Sequence, residues 1–254
     1  MKLLNINNLN VGNIADILTF CRDALMNKRG AFLIPMNPIK VIKARKHQDF
    51  QEIIGNADWV FPDAWGMKWA ASLLYGENIP LCPGYKVMFS LIEQAGRDNH
   101  SIYLLGTTEE VLKIANHKLL EIYPKLQIVG GHHGFFSESD ERTIFQNIAE
   151  VEPHYVFVAM GEYKQEKIIQ KLRPLFPKAV YMGVGGSIDL IAGKQPSPPR
   201  WLRKNHLEWL FRLIRQPYRA PRFKALPIFA FLVILEKVNC LLKTFFVKNR
   251  DHLG

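Results

Sequence analysis

The sequence predicts an α/β fold: a Rossmann-like, mainly parallel sheet flanked by helices, followed by a basic amphipathic helical C-terminal appendage. Two observations support this prediction. Short apolar runs alternate with segments of helical periodicity, which is the pattern of a parallel sheet with crossover helices. The charge is unevenly divided, because residues 200–254 carry a formal net charge of +9 and residues 1–199 only +1. With 254 residues, 48% of them hydrophobic, the chain can bury one sizeable core.

Six apolar runs are predicted to form the strands of this sheet. Each is short enough for a buried strand and is followed within two residues by a glycine or a polar residue. In chain order they are Ala31–Pro35, Trp59–Phe61, Ser101–Leu105, Leu126–Val129, Tyr155–Ala159 and Ala179–Met182.

Helices are predicted between the strands from capping residues and apolar spacing. Thr107 and Glu110 have the spacing of a capping box for a helix that Pro124 ends. Ser137 is a candidate N-cap for a helix that runs to about Val151. The resulting strand–helix–strand units are those of an open parallel sheet.

Polar residues and glycines follow four of the predicted strands. In an open parallel sheet the carboxyl ends of the strands meet at one edge, and ligands bind beyond that edge. We therefore expect these residues to lie around a pocket. They are Asn37, Asp63 and Gln165, and after the last strand Gly185, Gly186 and Asp189.

The C-terminal region is predicted to form a unit of its own. A proline-rich stretch ends near residue 199, which divides the chain into an α/β domain over residues 1–198 and an appendage over residues 199–254. The appendage interleaves basic residues with aromatic and aliphatic ones, which suits an anionic membrane surface. The alternative is a pair of amphipathic helices packed on the core, with solvated charges outside.

Two other roles are disfavoured for this basic region. Nucleic-acid binding is not expected, because the chain has no zinc-finger spacing and no RNA-recognition aromatic motif. A spanning helix is not expected either. The apolar run Ala225–Leu235 has eleven residues, whereas a transmembrane helix needs roughly 18 or more.

No metal site is predicted, and no cofactor is implied. The cysteines Cys21, Cys82 and Cys240 have no metal-ligand spacing, and the chain contains no Asp-x-Asp motif. His132 and His133 are adjacent on an extended segment, where neighbouring side chains point to opposite faces. We therefore do not expect the pair to share a metal ion.

The order and spacing of several motifs together resemble the WecG/TagA/CpsF family of bacterial glycosyltransferases, glycosyltransferase family 26. The resemblance covers nearly the whole chain. Its landmarks are Asn37, Pro62-Asp63-Ala64-Trp65-Gly66, Gly84, Tyr103-Leu104-Leu105-Gly106, Gly130-Gly131-His132-His133-Gly134-Phe135-Phe136, Gly161 with Lys164-Gln165-Glu166, Gly183-Val184-Gly185-Gly186-Ser187 with Asp189, and Leu207-Glu208-Trp209-Leu210-Phe211-Arg212-Leu213.

The resemblance implies a definite activity. Such enzymes move a sugar from a UDP-sugar to a sugar on a polyprenyl diphosphate lipid, with inversion at the anomeric carbon and without a metal. They work at the cytoplasmic face of the bacterial inner membrane, in the synthesis of surface polysaccharides or cell-wall polymers. Their fold is a Rossmann-like domain whose C-terminal appendage completes the active site and touches the membrane.

The resemblance also implies roles for individual residues. Asp63 matches the base that takes the proton of the acceptor hydroxyl; its structural alternative is the N-cap of a helix over residues 65–75. Asn37, Gln165 and Asp189 match polar pocket positions, and each could instead serve a loop or helix cap. Independently of the resemblance, backbone N–H groups of the turn at Gly185 and Gly186 could approach phosphate, with ordinary tight-turn chemistry as the alternative. The arginines that match active-site positions of the appendage, with solvated surface charge as their alternative, are Arg212, Arg219 and Arg222.

The chain departs from the family pattern at several positions, some of which line the pocket in relatives; Tyr163 stands where a proline is usual, and Pro196-Ser197 where a Lys-Arg pair is common. Pro35 stands where a threonine is common, Leu81 where an arginine is common, and Lys86 where an aspartate is common. They leave the donor sugar and the acceptor open. Two other classes also stay open: a nicotinamide-dependent enzyme, suggested by the glycines of the last turn, and a non-catalytic membrane-associated scaffold. Homo-oligomer formation is undecided by the sequence.

Overall fold

The computed structural model describes residues 1–194, the single positions 199, 202, 211 and 214, and residues 220–250, with side chains up to residue 243. Its centre is a six-stranded parallel sheet with the strand order β2-β1-β6-β5-β3-β4. The strands are β1 (Ala31–Met36), β2 (Trp59–Pro62), β3 (Ser101–Gly106), β4 (Gln127–His132), β5 (Tyr155–Ala159) and β6 (Val180–Gly183).

Helices cover both faces of the sheet, so that the inner strands are buried on both sides. Along β1, Phe32 and Ile34 point into one apolar cluster while Ala31 and Leu33 point into the other. The first cluster contains residues of α2 (Pro38–Lys46), α3 (Gln48–Gly55), α4 (Trp65–Tyr75), α7 (Glu138–Glu150) and α8 (Lys164–Leu172). The second contains residues of α1 (Ile14–Met26), α5 (Gly84–Asp98), α6 (Glu109–Ile122) and α9 (Ser187–Ile191).

The crossover connections all have one hand, as parallel sheets require. Connections that step toward β2 pass over the first face. Of those that step toward β4, the β3–β4 connection lies on the second face, and the β2–β3 connection places α4 on the first face before α5 passes over the second. The helices that follow the adjacent strands β5 and β3 therefore lie on opposite faces. The same is true of β1 and β6. The space between these loops at the carboxyl edge is the place where doubly wound sheets form a crevice and bind ligands.

The structure confirms the predicted fold class and all six predicted strands, with no strand end shifted by more than three residues. One local prediction is wrong. The N-cap of α6 is Thr108, whose hydroxyl oxygen accepts the Val111 N–H at 3.3 Å, and not Thr107. Thr107 instead has φ of +52°, a conformation that is unusual for a β-branched residue, so it turns the chain at the end of β3.

The described part of the appendage contains two helices, α10 (Ala220–Phe223) and α11 (Ala225–Arg250). Phe229 and Val233 of α11 are buried in the first core cluster. Phe229 comes within 3.8 Å of the Cβ position of Gly66, and Lys237 Nζ donates to the Leu74 carbonyl at 3.4 Å. Because Gly66 and Leu74 lie near opposite ends of α4, α11 runs alongside α4 in the same direction.

The opposite face of α11 is apolar and exposed, so the helix has two apolar faces. The exposed stripe recurs at helical spacing and consists of Ile228, Phe231, Ile234, Leu235, Val238, Leu241 and Leu242. The expectation that no segment reaches spanning length is wrong by length and composition. One helical stretch, Ala220–Lys243 with 24 residues, is long and apolar enough to cross a membrane. Counting only uninterrupted apolar residues missed it, because Glu236 and Lys237 interrupt the run.

Two histidines lie stacked at the amino edge of the sheet, far from the crevice. The rings of His100 and His154 are 4.4 Å apart and nearly parallel. His154 Nδ1 accepts the Ser101 N–H at 3.1 Å, which requires an unprotonated nitrogen. His100 Nδ1 is buried and has no hydrogen bond to any residue that the structure describes. Burial lowers the pKa of both histidines.

This pair should make the protein less stable in mild acid. The unfolded chain binds protons at these histidines below their ordinary pKa of about 6.5, whereas the folded chain resists them, so stability is lost as the pH falls through that value. Urea unfolding should give a lower free energy of unfolding at pH 5.5 than at pH 7.5. Replacing His100 with Phe should reduce the difference. The control His117→Gln, on the exposed surface of α6, should not; an equal effect of both variants would contradict the assignment.

Candidate active site

The crevice at the carboxyl edge gathers most of the polar residues that the sequence singled out. Asn37 follows β1, Asp63 follows β2, Gln165 lies in the first turn of α8 after β5, and Asp189 lies in α9 after β6. Their order across the edge follows the order of the strands, so the site is spread over β2, β1, β6 and β5.

Asp63 is held by a helix that begins 21 residues later in the chain. One carboxylate oxygen, Oδ1, accepts the Gly84 N–H at 2.5 Å, and Gly84 is the first residue of α5. The other oxygen has no hydrogen bond within the part of the chain that the structure describes. The predicted alternative, that Asp63 caps the helix over residues 65–75, is wrong, because Ala64 is the N-cap of α4 and makes no capping bond. Asp63 is thus oriented, half-buried and open on one side.

Cys82 lies close to Asp63 and supplies no nucleophile. Burial raises the pKa of Cys82 to about 11, with the negative charges of Asp16 and Asp63 adding to the effect. The thiol is therefore protonated at neutral pH, and thiolate chemistry is excluded at this position.

Both ends of the Asn37 side-chain amide form hydrogen bonds within the protein. Oδ1 accepts the Lys40 N–H at 3.0 Å as the N-cap of α2, and Nδ2 donates to Glu162 Oε1 at 3.3 Å. The capping alternative for Asn37 is therefore correct. The side chain is half-buried, so it can also meet a ligand from the crevice side.

Gln165 is more deeply placed than the sequence suggested. Its side chain is 1% exposed, Nε2 donates to Glu166 Oε1 at 2.9 Å, and Oε1 accepts the Gly185 N–H at 3.0 Å. Glu166 in turn forms an ion pair with Lys40 at 2.7 Å. Gln165 therefore links the turn after β5 to the turn after β6.

The turn after β6 contributes backbone to the crevice. Gly185 has φ of +53°, which favours glycine, and a Cβ added there would meet nothing within 4 Å. Its N–H is already bonded to Gln165, and the Ser187 N–H is bonded to the Val184 carbonyl at 3.1 Å. Gly186 is exposed, and its N–H has no partner among the described residues. Of the two backbone N–H groups that were predicted to approach phosphate, the Gly186 N–H is therefore the one left to bind a ligand.

Asp189 belongs to α9 rather than capping it, so the capping alternative is wrong here. Its Oδ1 accepts the Thr107 hydroxyl at 3.3 Å. This contact joins the end of β3 to the turn after β6 across the crevice. Asp189 is half-buried and follows β6, which is separated from β2, the strand before Asp63, by β1.

Of the three arginines that the sequence singled out in the appendage, only Arg222 lies among the described residues. Arg222 lies in α10 and is exposed. Arg212 and Arg219 lie outside the described residues, as does the predicted domain boundary at residue 198. Because α11 starts beside the first turn of α4, α10 is at the same end of the molecule as the carboxyl edge of the sheet. Arg222 is therefore on the crevice side of the protein.

The structure also shows where Pro35, Leu81 and Lys86, which depart from the family pattern, lie in the fold. Pro35 lies near the end of β1, beyond the residues that pair with β6, so that its missing N–H breaks no ladder bond. Its carbonyl accepts Lys40 Nζ at 2.8 Å. Leu81 is half-buried before α5, and Lys86 is exposed in the first turn of α5, close to the helix end that holds Asp63.

The histidine pair behaves differently from the prediction. β4 continues to His132, and the rings of His132 and His133 are 4.5 Å apart instead of on opposite faces, because the chain turns after the strand. His132 Nδ1 interacts with the His133 carbonyl at 2.8 Å. Among the described residues no group of three or more His, Cys, Asp or Glu side chains could hold a metal ion.

Sequence reasoning missed three contributors to the site. Glu166 is fully buried, Lys40 is 2% exposed, and Thr107 holds Asp189. The adjacency of Lys164, Gln165 and Glu166 was a visible signal for Glu166. Nothing local marks Lys40, since a lysine in the first turn of a helix is ordinarily solvated.

A doubly wound parallel sheet with polar groups gathered beyond its carboxyl edge is the architecture in which α/β proteins bind nucleotides and related ligands. The chain belongs to the Glycosyl transferase WecG/TagA/CpsF family, whose family model matches residues 1–241. It is accordingly a glycosyltransferase. This membership decides for a transferase over the nicotinamide-dependent and scaffold alternatives.

Curated relatives extend the comparison. The chain is 34% identical to an N-acetylglucosaminyldiphosphoundecaprenol N-acetyl-beta-D-mannosaminyltransferase of Bacillus subtilis (strain 168) over 226 residues, which cover 89% of this chain and 87% of the relative. It is 32% identical to the protein of the same name from Staphylococcus aureus (strain MW2) over 224 residues, which cover 88% and 87%.

Proposed function

We propose that this protein is an inverting glycosyltransferase that moves a sugar from a UDP-sugar to a sugar carried on a polyprenyl diphosphate. The product serves the synthesis of a bacterial surface polysaccharide or cell-wall polymer. The relatives named above act on an N-acetylglucosaminyl-diphosphoundecaprenol acceptor and transfer N-acetylmannosamine. The first donor and acceptor to consider are therefore UDP-N-acetylmannosamine and a prenyl diphosphate-linked N-acetylglucosamine.

The single observation that carries this proposal is the geometry of Asp63. Inverting transfer needs a base that takes the proton of the acceptor hydroxyl while its oxygen bonds to the anomeric carbon. At the same time the bond from that carbon to the diphosphate oxygen breaks, and UDP leaves with the electron pair. The Gly84 N–H fixes one oxygen of Asp63 at 2.5 Å, which leaves the second oxygen oriented for the proton.

The departing UDP must be stabilised by positive charge or N–H groups. We assign this role to the appendage arginines, of which Arg222 lies on the crevice side, together with Arg212 and Arg219. Guanidinium groups bind diphosphate oxygens in pairs, so they can serve in place of a metal ion. The open Gly186 N–H is a further donor at the same edge. Asn37, Asp189 and Lys86 are the polar side chains best placed to contact the sugars.

The appendage is proposed to lie on the cytoplasmic face of the inner membrane, within reach of the lipid-linked acceptor. The two-faced helix α11 supports this. Its first half is packed on the core through Phe229 and Val233, so lipid cannot surround it there. Its opposite stripe is exposed and apolar. Such a helix suits the membrane interface, with its stripe in the acyl region and basic residues among anionic headgroups.

The proposed reaction should be observed directly and should not depend on a metal. Purified protein is incubated with a panel of UDP-sugars and a short-chain prenyl diphosphate-linked N-acetylglucosamine, in EDTA, and products are identified by mass spectrometry. We expect one UDP-N-acetylhexosamine to give a product one sugar larger, because cationic side chains take the place of a metal. Activity that appears only on adding Mg²⁺ or Mn²⁺ would contradict the metal-free mechanism.

Asp63→Asn should nearly abolish turnover while the protein stays folded. Loss of a positioned base typically lowers the rate by about 10²–10⁴-fold, and the amide retains an oxygen that can accept the Gly84 N–H. The control is Asp98→Asn, which removes the carboxylate paired with Arg22 at the far end of α5. It should keep nearly full activity. Unchanged kcat in Asp63→Asn, with an unchanged melting temperature, would remove Asp63 from the mechanism.

The exposed stripe of α11 should be required for membrane binding. A triple variant, Phe231→Ser, Leu235→Ser and Leu242→Ser, removes apolar area worth about 1.5–3 kcal/mol per side chain when buried. We expect the variant to sediment poorly with anionic liposomes. High salt should weaken the binding of the wild type, because it screens the attraction between basic residues and anionic headgroups.

The matched control changes three comparably exposed apolar residues elsewhere, Leu120→Ser, Ile122→Ser and Leu175→Ser. It should bind liposomes as the wild type does. Equal binding by both triple variants would mean that α11 does not enter the membrane.

A further inference from the structure

The most heavily bonded side chain at the crevice is a carboxylate that touches no open surface. Glu166 has no exposed area, and its two oxygens accept three donors. Oε1 accepts Lys40 Nζ at 2.7 Å and Gln165 Nε2 at 2.9 Å, and Oε2 accepts the Tyr163 N–H at 2.5 Å. Lys40 Nζ also donates to the Pro35 carbonyl at 2.8 Å. The cluster therefore ties β1, α2 and the β5–α8 turn together.

This carboxylate determines which way the Gln165 amide faces. An ionised carboxylate can only accept hydrogen bonds, so the NH₂ end of the amide must point toward Glu166. The carbonyl end then points toward the Gly185 N–H and accepts it at 3.0 Å. With the amide reversed, an NH₂ group would oppose the Gly185 N–H, and a carbonyl would oppose the carboxylate.

The amide has no room to adopt another position. A Cβ at Gly183 would lie 2.4 Å from Gln165 Nε2 and 2.8 Å from Cδ, so the amide is packed against bare backbone of β6. The Gly185 turn is consequently held through Gln165, and Gly185 itself faces open space in the crevice. A shift of the amide would be transmitted directly to the backbone at this edge.

We propose that Glu166, with Lys40 as its counter-ion, is a positioning residue of the transferase. It fixes the Gln165 amide and thereby the Gly185–Gly186 turn that receives the UDP moiety of the donor. This assignment rests on the proposed function for the identity of the donor. Gln165 accordingly acts through its contact with Gly185 and does not bind substrate itself. A buried ion pair is often no more stabilising than apolar residues of the same size, so this pair is better explained by orientation than by stability.

The test is an isosteric variant whose amide becomes an acid, Gln165→Glu. When the introduced carboxyl group is ionised it repels Glu166 across a gap of about 3 Å, and the turn loses its support. When it is protonated, its O–H donates to Glu166 while its carbonyl accepts the Gly185 N–H, as the amide does in the wild type. The neighbouring negative charge raises the pKa of the introduced acid, so the protonated form should be reached in mild acid.

We expect the variant to have a donor KM about tenfold or more above that of the wild type at pH 8, which corresponds to about 1.4 kcal/mol. The ratio of the two KM values should fall toward one at pH 6, with a smaller effect on kcat and none on the acceptor KM. Hydrogen exchange of the peptide over residues 183–187, relative to the wild type at the same pH, should be faster at pH 8 and normal at pH 6.

The matched control is Gln94→Glu, because Gln94 is 2% exposed and lies toward the far end of α5, where Nε2 donates to Tyr155 Oη at 3.3 Å. It introduces the same buried acid and should leave the donor KM ratio independent of pH. A second variant, Glu166→Gln, should raise the donor KM at every pH, because position 166 then carries no group that a proton could titrate.

Several results would overturn the proposal. A wild-type donor KM and wild-type exchange in Gln165→Glu at pH 8 would show that the amide does not support the turn. A raised KM that does not respond to pH would show that its orientation is irrelevant. If the wild type forms no product with any UDP-sugar, the proposed function fails, and the exchange measurement still decides whether Glu166 and Gln165 hold the turn.

Discussion

The ion pair between Lys40 and Glu166 is the interaction on which the carboxyl edge of this sheet depends. It joins α2 to the first turn of α8; the same lysine also bonds the Pro35 carbonyl of β1, and through Gln165 the pair reaches the turn after β6. Removing one partner would leave an uncompensated buried charge, which typically costs about 3–5 kcal/mol. We therefore expect the Gly185 turn to be rigid. Such rigidity suits a transferase that must align a donor with a separately bound acceptor.

The second constraint is that α11 carries two opposite apolar faces. One face is satisfied by the core beside α4, and the other has no protein partner among the described residues. A membrane surface is the partner that fits a basic segment of this kind. Because α11 begins beside the first turn of α4, the end of the appendage that carries Arg222 is on the same side of the molecule as the carboxyl edge of the sheet. If the proposed function is correct, α11 couples membrane attachment to completion of the active site.

The fold could be predicted from the sequence because strands buried on both faces read as continuous apolar runs. The strand order could not, since it depends on which face each crossover takes. The positions of Asn37, Asp63 and Asp189 after strands could also be predicted, but their bonding could not. Asp63 is held by Gly84, 21 residues later, and Asp189 by Thr107, which lies 82 residues earlier. Lys40 had no local signal at all, because only the folded chain places it against Glu166. The length of the apolar C-terminal helix was underestimated from the sequence, because Glu236 and Lys237 interrupt its apolar run.

The central claim is that the donor nucleotide binds at the carboxyl edge between the Gly185 turn and Asp63, with Gln165 buried behind it. A crystal structure of the full chain with UDP tests this most directly. We expect the diphosphate to lie beside Gly186 and the arginines of the appendage. The Gln165 amide should still be bonded to Glu166 and Gly185, and the free oxygen of Asp63 should face the space for the sugar. UDP bound away from this edge, or a Gln165 side chain turned outward to hold the nucleotide, would contradict it.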